Sequence, residues 1–73
     1  MKFIIDVSTK SKRPLINQLK MLKWVDDVQD GGIYHACRGY SQVHLETEKD
    51  EDFIDNWLYN KSRKIDYIGV VEA

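Results

Sequence analysis

The 73-residue chain contains one cysteine, one proline and four glycines. A single cysteine, Cys37, cannot close a disulfide within the chain, which fits a reducing, cytoplasmic setting. No apolar stretch approaches the roughly 20 residues that span a bilayer, so no membrane partner is expected. The opening "MKFIIDVS" interrupts its apolar run at Asp6 and does not read as a signal peptide. There is no excess of charge of either sign, the net being −1. Affinity for nucleic-acid phosphates rests on many cations displacing counterions, so this balance argues against a nucleic-acid partner. No linker, repeat or low-complexity segment divides the chain, so residues 1–73 read as one small domain near the lower size for a self-sufficient core.

What charge there is lies unevenly. Through Val25, Lys2, Lys10, Lys12, Arg13, Lys20 and Lys23 outweigh Asp6; from Asp26 to Trp57, nine acids face only Arg38 and Lys49. Such polarity suits docking of a basic patch on an acidic one, but fits an ordinary solvated surface better.

"KFIIDV" reads as a strand, with Phe3, Ile5 and Val7 on one face and Lys2, Ile4 and Asp6 on the other. "STKSKRP" reads as a loop, with Ser11 as a helix N-cap and Pro14 in the first turn. Leu15, Ile16, Leu19, Leu22 and Val25 recur at helical spacing and predict about four turns, with an earlier exit available at "WVDDV". "DGG" at 30–32 stops what precedes it. "IYHAC" and "YSQVHLETE" around Arg38-Gly39 predict a hairpin. Thr47 and Asp50 form a capping-box-like start for a second helix with an apolar stripe of Phe53, Ile54, Trp57 and Leu58. Asn60 is its expected left-handed stop, with Lys61, Arg63 and Lys64 suiting its C-terminal end, and "IDYIGVVEA" is the last strand. The order β-α-β-β-α-β predicts an α+β, ferredoxin-like antiparallel sheet with both helices on one face.

The other face of such a sheet is bare. Alternation directs Val43 and Leu45 to the helices, and Tyr40, Gln42 and His44 to the open face beside Ile4 and Asp6. A two-residue turn would add His35 and Cys37. Four chemistries fit this face unequally. "CRGYSQVHLE" resembles the third strand of an RNA-recognition motif, but only Tyr40 fills one of three stacking positions, Gln42 and Ile4 occupying the others. His35, Cys37 and His44 are zinc-ligand types at a spacing that matches no known zinc signature, so no metal is expected. His35 and His44 titrate near neutrality and Asp6 could orient one, yet no nucleophile pairs with a base. The fourth reading needs no special residue: Ile4, Tyr40, Gln42 and His44 make a mixed, weakly charged face that a second copy could cover.

The last 43 residues, "GGIYHACRGYSQVHLETEKDEDFIDNWLYNKSRKIDYIGVVEA", resemble small proteins of the dimeric α+β-barrel superfamily. The matching positions are Gly32, Tyr34, His35, Arg38, Gly39, Tyr40, Glu46, Trp57, Asp66, Val70, Val71 and Glu72. The chain departs from the pattern in a shorter loop between the paired strands and in Gly69, where relatives carry an aliphatic residue or begin a Val-Pro ending. The resemblance implies a homodimer joined through the open faces. It implies no single activity, since members include cofactor-free oxygenases, isomerases and sensor domains. It also implies where a small-molecule pocket would lie, between sheet and helices, lined by Tyr34, Trp57, Tyr67 and Trp24 with His35 or Arg38 at its mouth; the alternative is that the aromatics simply fill the core. No cofactor is expected. Lys10, Lys12 and Arg13 at a helix start form a further candidate, for an anion. The expectation is a homodimeric interaction or ligand-binding protein, with a cofactor-independent enzyme or an RNA-binding module as alternatives.

Overall fold

A computed structural model describes residues 1–36, 38–60 and 65–73. Six elements follow in order: β1 (Lys2–Ser8), α1 (Thr9–Lys20), β2 (Val25–Ile33), β3 (Tyr40–Thr47), α2 (Glu51–Asn60) and β4 (Tyr67–Glu72). The strands form one antiparallel sheet in the order β2-β3-β1-β4. Cys37, expected on the open face, and Lys61, Arg63 and Lys64, expected after the second helix, lie outside the described residues.

The core follows from period-two alternation. Phe3, Ile5 and Val7 of β1 and Val43 and Leu45 of β3 are essentially inaccessible, and so are Leu15 and Leu19 of α1 and Ile54 and Leu58 of α2. These side chains form one cluster, so both helices cover the same face of the sheet. Ile65, ahead of β4, closes the cluster.

Three boundaries differ from the sequence expectation, each for a physical reason. α1 begins directly after β1, so "STKSKRP" is not a loop. Ser8 is the N-cap, its Oγ accepting from the Ser11 N–H at 3.3 Å. Ser11 is instead turned inward, where its Oγ accepts from the Asp66 N–H at 3.1 Å and ties α1 to the start of β4. Pro14 consequently sits inside α1, beyond the first turn.

The second difference is where α1 ends. It closes at Lys20, with the Met21 N–H donating to the Gln18 carbonyl and the Leu22 N–H to the Leu19 carbonyl, each at 3.1 Å. Val25 therefore belongs to β2, pairing with Thr47 of β3. "DGG" does not stop an element but bends a strand: the Asp30 carboxylate accepts from the Gly32 N–H at 2.8 Å, and Gly32 takes φ +85° beside a register shift between Asp30 and Ile33. Only Gly reaches that conformation without strain. β2 is an edge strand carrying three aspartates and a single fully buried residue, Val28, and it exists because β3 supplies its partner.

The third is the hairpin. β2 ends at Ile33 and β3 begins at Tyr40, so Tyr34, His35 and Ala36 are connection rather than strand, closed by Gly39 at φ +82° and by the Tyr34 N–H donating to the Tyr40 carbonyl at 2.9 Å. At α2, Asp50 is the cap, accepting from the Phe53 N–H at 2.8 Å. Thr47, the other half of the expected box, is buried and donates to the Trp24 carbonyl. Asn60, the expected left-handed stop, is the last residue of α2 and its φ is not positive.

Candidate functional site

The face of the sheet opposite the helices is built in four levels. Register fixes them: Lys2 stands beside Glu46, Ile4 beside His44, Asp6 beside Gln42 and Ser8 beside Tyr40. On the far side of β1, Val71 stands beside Ile4 and Gly69 beside Asp6. On the far side of β3, Asp27 stands beside Glu46 and Gln29 beside His44. The four interface candidates, Ile4, Tyr40, Gln42 and His44, therefore share one surface, as alternation requires.

This surface is organised by its own polar contacts. Gln42 Nε2 donates to Asp6 Oδ1 at 3.1 Å across the two central strands. The Tyr40 hydroxyl donates to Asp66 Oδ2 at 3.4 Å, beyond β1. The His44 ring lies against β2: a Cβ added to Gly31 would come within 2.6 Å of its Cδ2 and 2.7 Å of its Nε2. Glycine at 31 is what allows the imidazole to rest there. Ile4 is half-buried, Val71 is 51 % exposed, and Ile68, the extra residue of a bulge in β4, is 54 % exposed. A shallow depression across the first two levels is lined by Lys2, Asp27, Gln29, His44 and Glu46.

The five pocket candidates are not gathered. Tyr34 is half-buried at the start of the 34–39 connection, and His35 and Arg38 are exposed within it. Trp57 is half-buried on α2, edge-on to Trp24 with centroids 5.8 Å apart, and Trp24 is edge-on to Phe53 at 5.1 Å. Trp24 precedes Val25, which pairs with the last residue of β3, whereas the 34–39 connection leads into the first. A strand of that length is about 24 Å long. Tyr67 lies on β4, where its hydroxyl donates to the Asp55 carbonyl at 3.4 Å and lies 3.3 Å from the Asp55 carboxylate. Burial, then the Asp55 charge and its hydrogen bond, push the Tyr67 phenol above its ordinary value.

Other candidates are placed as follows. Lys10, Lys12 and Arg13 fall in the first half of α1, and Lys12 Nζ is 3.1 Å from Asp30 Oδ2 on β2. A groove between α1 and the β2 edge is lined by Lys12, Arg13, Asn17, Lys20 and Asp30 over Ile16 and Val28. Among the described residues, no group of three or more His, Cys, Asp or Glu side chains is placed to hold a metal ion. No helix among them is long and apolar enough to cross a membrane. Comparison of the chain with protein-family models, with curated proteins and with solved structures finds no match.

Sequence reasoning missed the outer columns of this face. Gln29 and Gly31 were hidden because "DDVQDGG" carries the composition of a turn. Its one usable signal is Val25 and Val28 flanking aspartates, the pattern of a strand bent by a bulge.

Proposed function

We propose that the chain is a ferredoxin-like domain of the dimeric α+β-barrel type, acting as a homodimeric interaction or ligand-binding module and not as an enzyme. The observation that carries the reading is the uncovered sheet face. It presents Ile4, Val71, Tyr40, Gln42 and His44 together, with Gln42 donating to Asp6 at its centre. A surface whose Gln42 already donates to Asp6 loses less on leaving water than one in which neither group has a partner. Burying it by a two-fold contact adds the apolar contact area that so small a domain lacks.

An RNA partner fits less well. The cations Lys10, Lys12, Arg13 and Lys20 ride on α1, on the opposite layer, while the open face offers Lys2 against Asp6, Asp27 and Glu46. Phosphate would meet net negative charge there.

The size of the face sets the expected strength. Four strands about 4.8 Å apart and about 23 Å long give roughly 450 Å² in projection, at the low end of what specific partners bury. Sedimentation equilibrium from about 1 mM down to about 1 μM should show a dimer that dissociates on dilution. A chain that remains monomeric at the top of that range overturns the proposal.

A further inference from the structure

Gly69 has no explanation within the chain. It lies in the interior of β4, level with Asp6. Its φ is not positive, so neither the strand nor the neighbouring bulge requires glycine there. A Cβ built on it meets nothing within 4 Å. Glycine weakens a strand interior and recurs where another surface approaches the backbone closely. Gly31 is the opposite case: at the same level, on the other outer strand, its missing side chain is filled by the His44 ring. The open face thus has a ridge over β2 and a recess over β4.

We infer that two copies pack with their two-fold axis parallel to the strands and midway between β1 and β3, His44 of each copy entering the recess at Gly69 of the other. This rests on the face-to-face reading above and decides between the two axes that reading allows. An axis along the strands exchanges β2 with β4 and β3 with β1 while keeping each level. The ridge of one copy then meets the recess of the second. Glu46 of one copy meets Lys2 of the second, and Gln42 meets Asp6. An axis across the strands instead sets Ile4 against Asp6 and Glu46 against Tyr40, and leaves Gly69 against Val71. The first arrangement matches charge with charge and shape with shape; the second places an aliphatic side chain on a carboxylate.

Distances allow it. Stacked sheets lie about 10 Å apart with strands about 30° from parallel. At the Lys2 level, about 10 Å from the centre of the face, that angle displaces facing residues by roughly 5 Å, about one strand spacing. The four-carbon stem of Lys2 spans such an offset.

Two experiments decide the matter. Gly69→Val places a strand-favouring residue into open space, so the fold should be as stable as wild type or more so in urea at low concentration. Its dimer dissociation constant should rise at least tenfold. In the second experiment Lys2→Glu and Glu46→Lys chains are mixed, one labelled with heavy nitrogen. At the mutually facing positions 2 and 46 the first carries two acids and the second two cations, while Asp27 is common to both, so homodimers repel and the heterodimer pairs. Native mass spectrometry should show the heterodimer well above the statistical half. If wild type is monomeric throughout, the face-to-face reading fails and this inference with it. If wild type dimerises, a Gly69→Val dimer of unchanged affinity, or a mixture without heterodimer preference, overturns the axis and leaves the face-to-face reading standing.

Discussion

Trp24 joins the turn after α1 to the helix beyond it through two edge-on contacts, with Phe53 and with Trp57. Pairs of this geometry contribute about 0.5–1.5 kcal/mol beyond the area they bury. Trp57 itself is half-buried, at the margin of the core and not within it. Trp57→Ala should therefore lower stability by about 2–3 kcal/mol, less than the upper range for a fully enclosed aromatic. Chemical denaturation of the two proteins measures this directly. A loss under about 1 kcal/mol would mean that the indole contacts carry almost nothing, and the exposed edge of Trp57 would then merit testing as a contact for something else.

At the scale of elements, the two edges of the sheet are unlike. β4 is mainly apolar, with Ile68 and Val71 exposed. β2 carries Asp26, Asp27 and Asp30 and two register shifts, features that discourage another strand from adding to it. Asp30 also holds β2 to α1 through Lys12. The Gly32 N–H first, and then the Lys12 ammonium, favour its charged form and hold its carboxyl below the usual range. A lowered folded value stabilises above the unfolded value, about 3.9, and that stabilisation is lost as pH falls through the folded one. Asp30→Asn keeps an acceptor for Gly32 but removes the charge. Its stability deficit should be small, constant between about pH 5 and 8, and should vanish as pH falls through the lowered folded value. A deficit that persists in strong acid would assign the role of Asp30 to hydrogen bonding alone.

The same contrast explains what could be read in advance. β1, β3 and both helices announce themselves because Phe3, Ile5, Val43, Leu45, Leu15 and Ile54 keep strict periods. Those periods also place Ile4, Tyr40, Gln42 and His44 on the open face. β2 is silent because its pairing comes from β3 and its side chains are those of a turn. That silence pushed α1 too far, displaced Tyr34 and His35 from strand to connection, and hid the Gly31 seat under His44. Ser11 shows a related limit: a serine near a helix start reads as a cap, and only the distant Asp66 N–H reveals its other employment.

For the whole molecule, the order β2-β3-β1-β4 has a consequence for synthesis and for dissection. The chain threads its sheet so that neither half holds two neighbours. In residues 1–36, β1 and β2 are separated by the missing β3; in residues 38–73, β3 and β4 are separated by the missing β1. A nascent chain on the ribosome can close no strand pair until β3 emerges, so its first half waits with Phe3, Ile5 and Val7 covered at most by α1. A cut between Arg38 and Gly39, both exposed, should yield two fragments that are each unstructured by circular dichroism and that regain the sheet only when mixed, each lending its strands to gaps in the other. Such interdependence makes the connection a natural place to divide the protein into a two-part reporter, silent until the pieces meet.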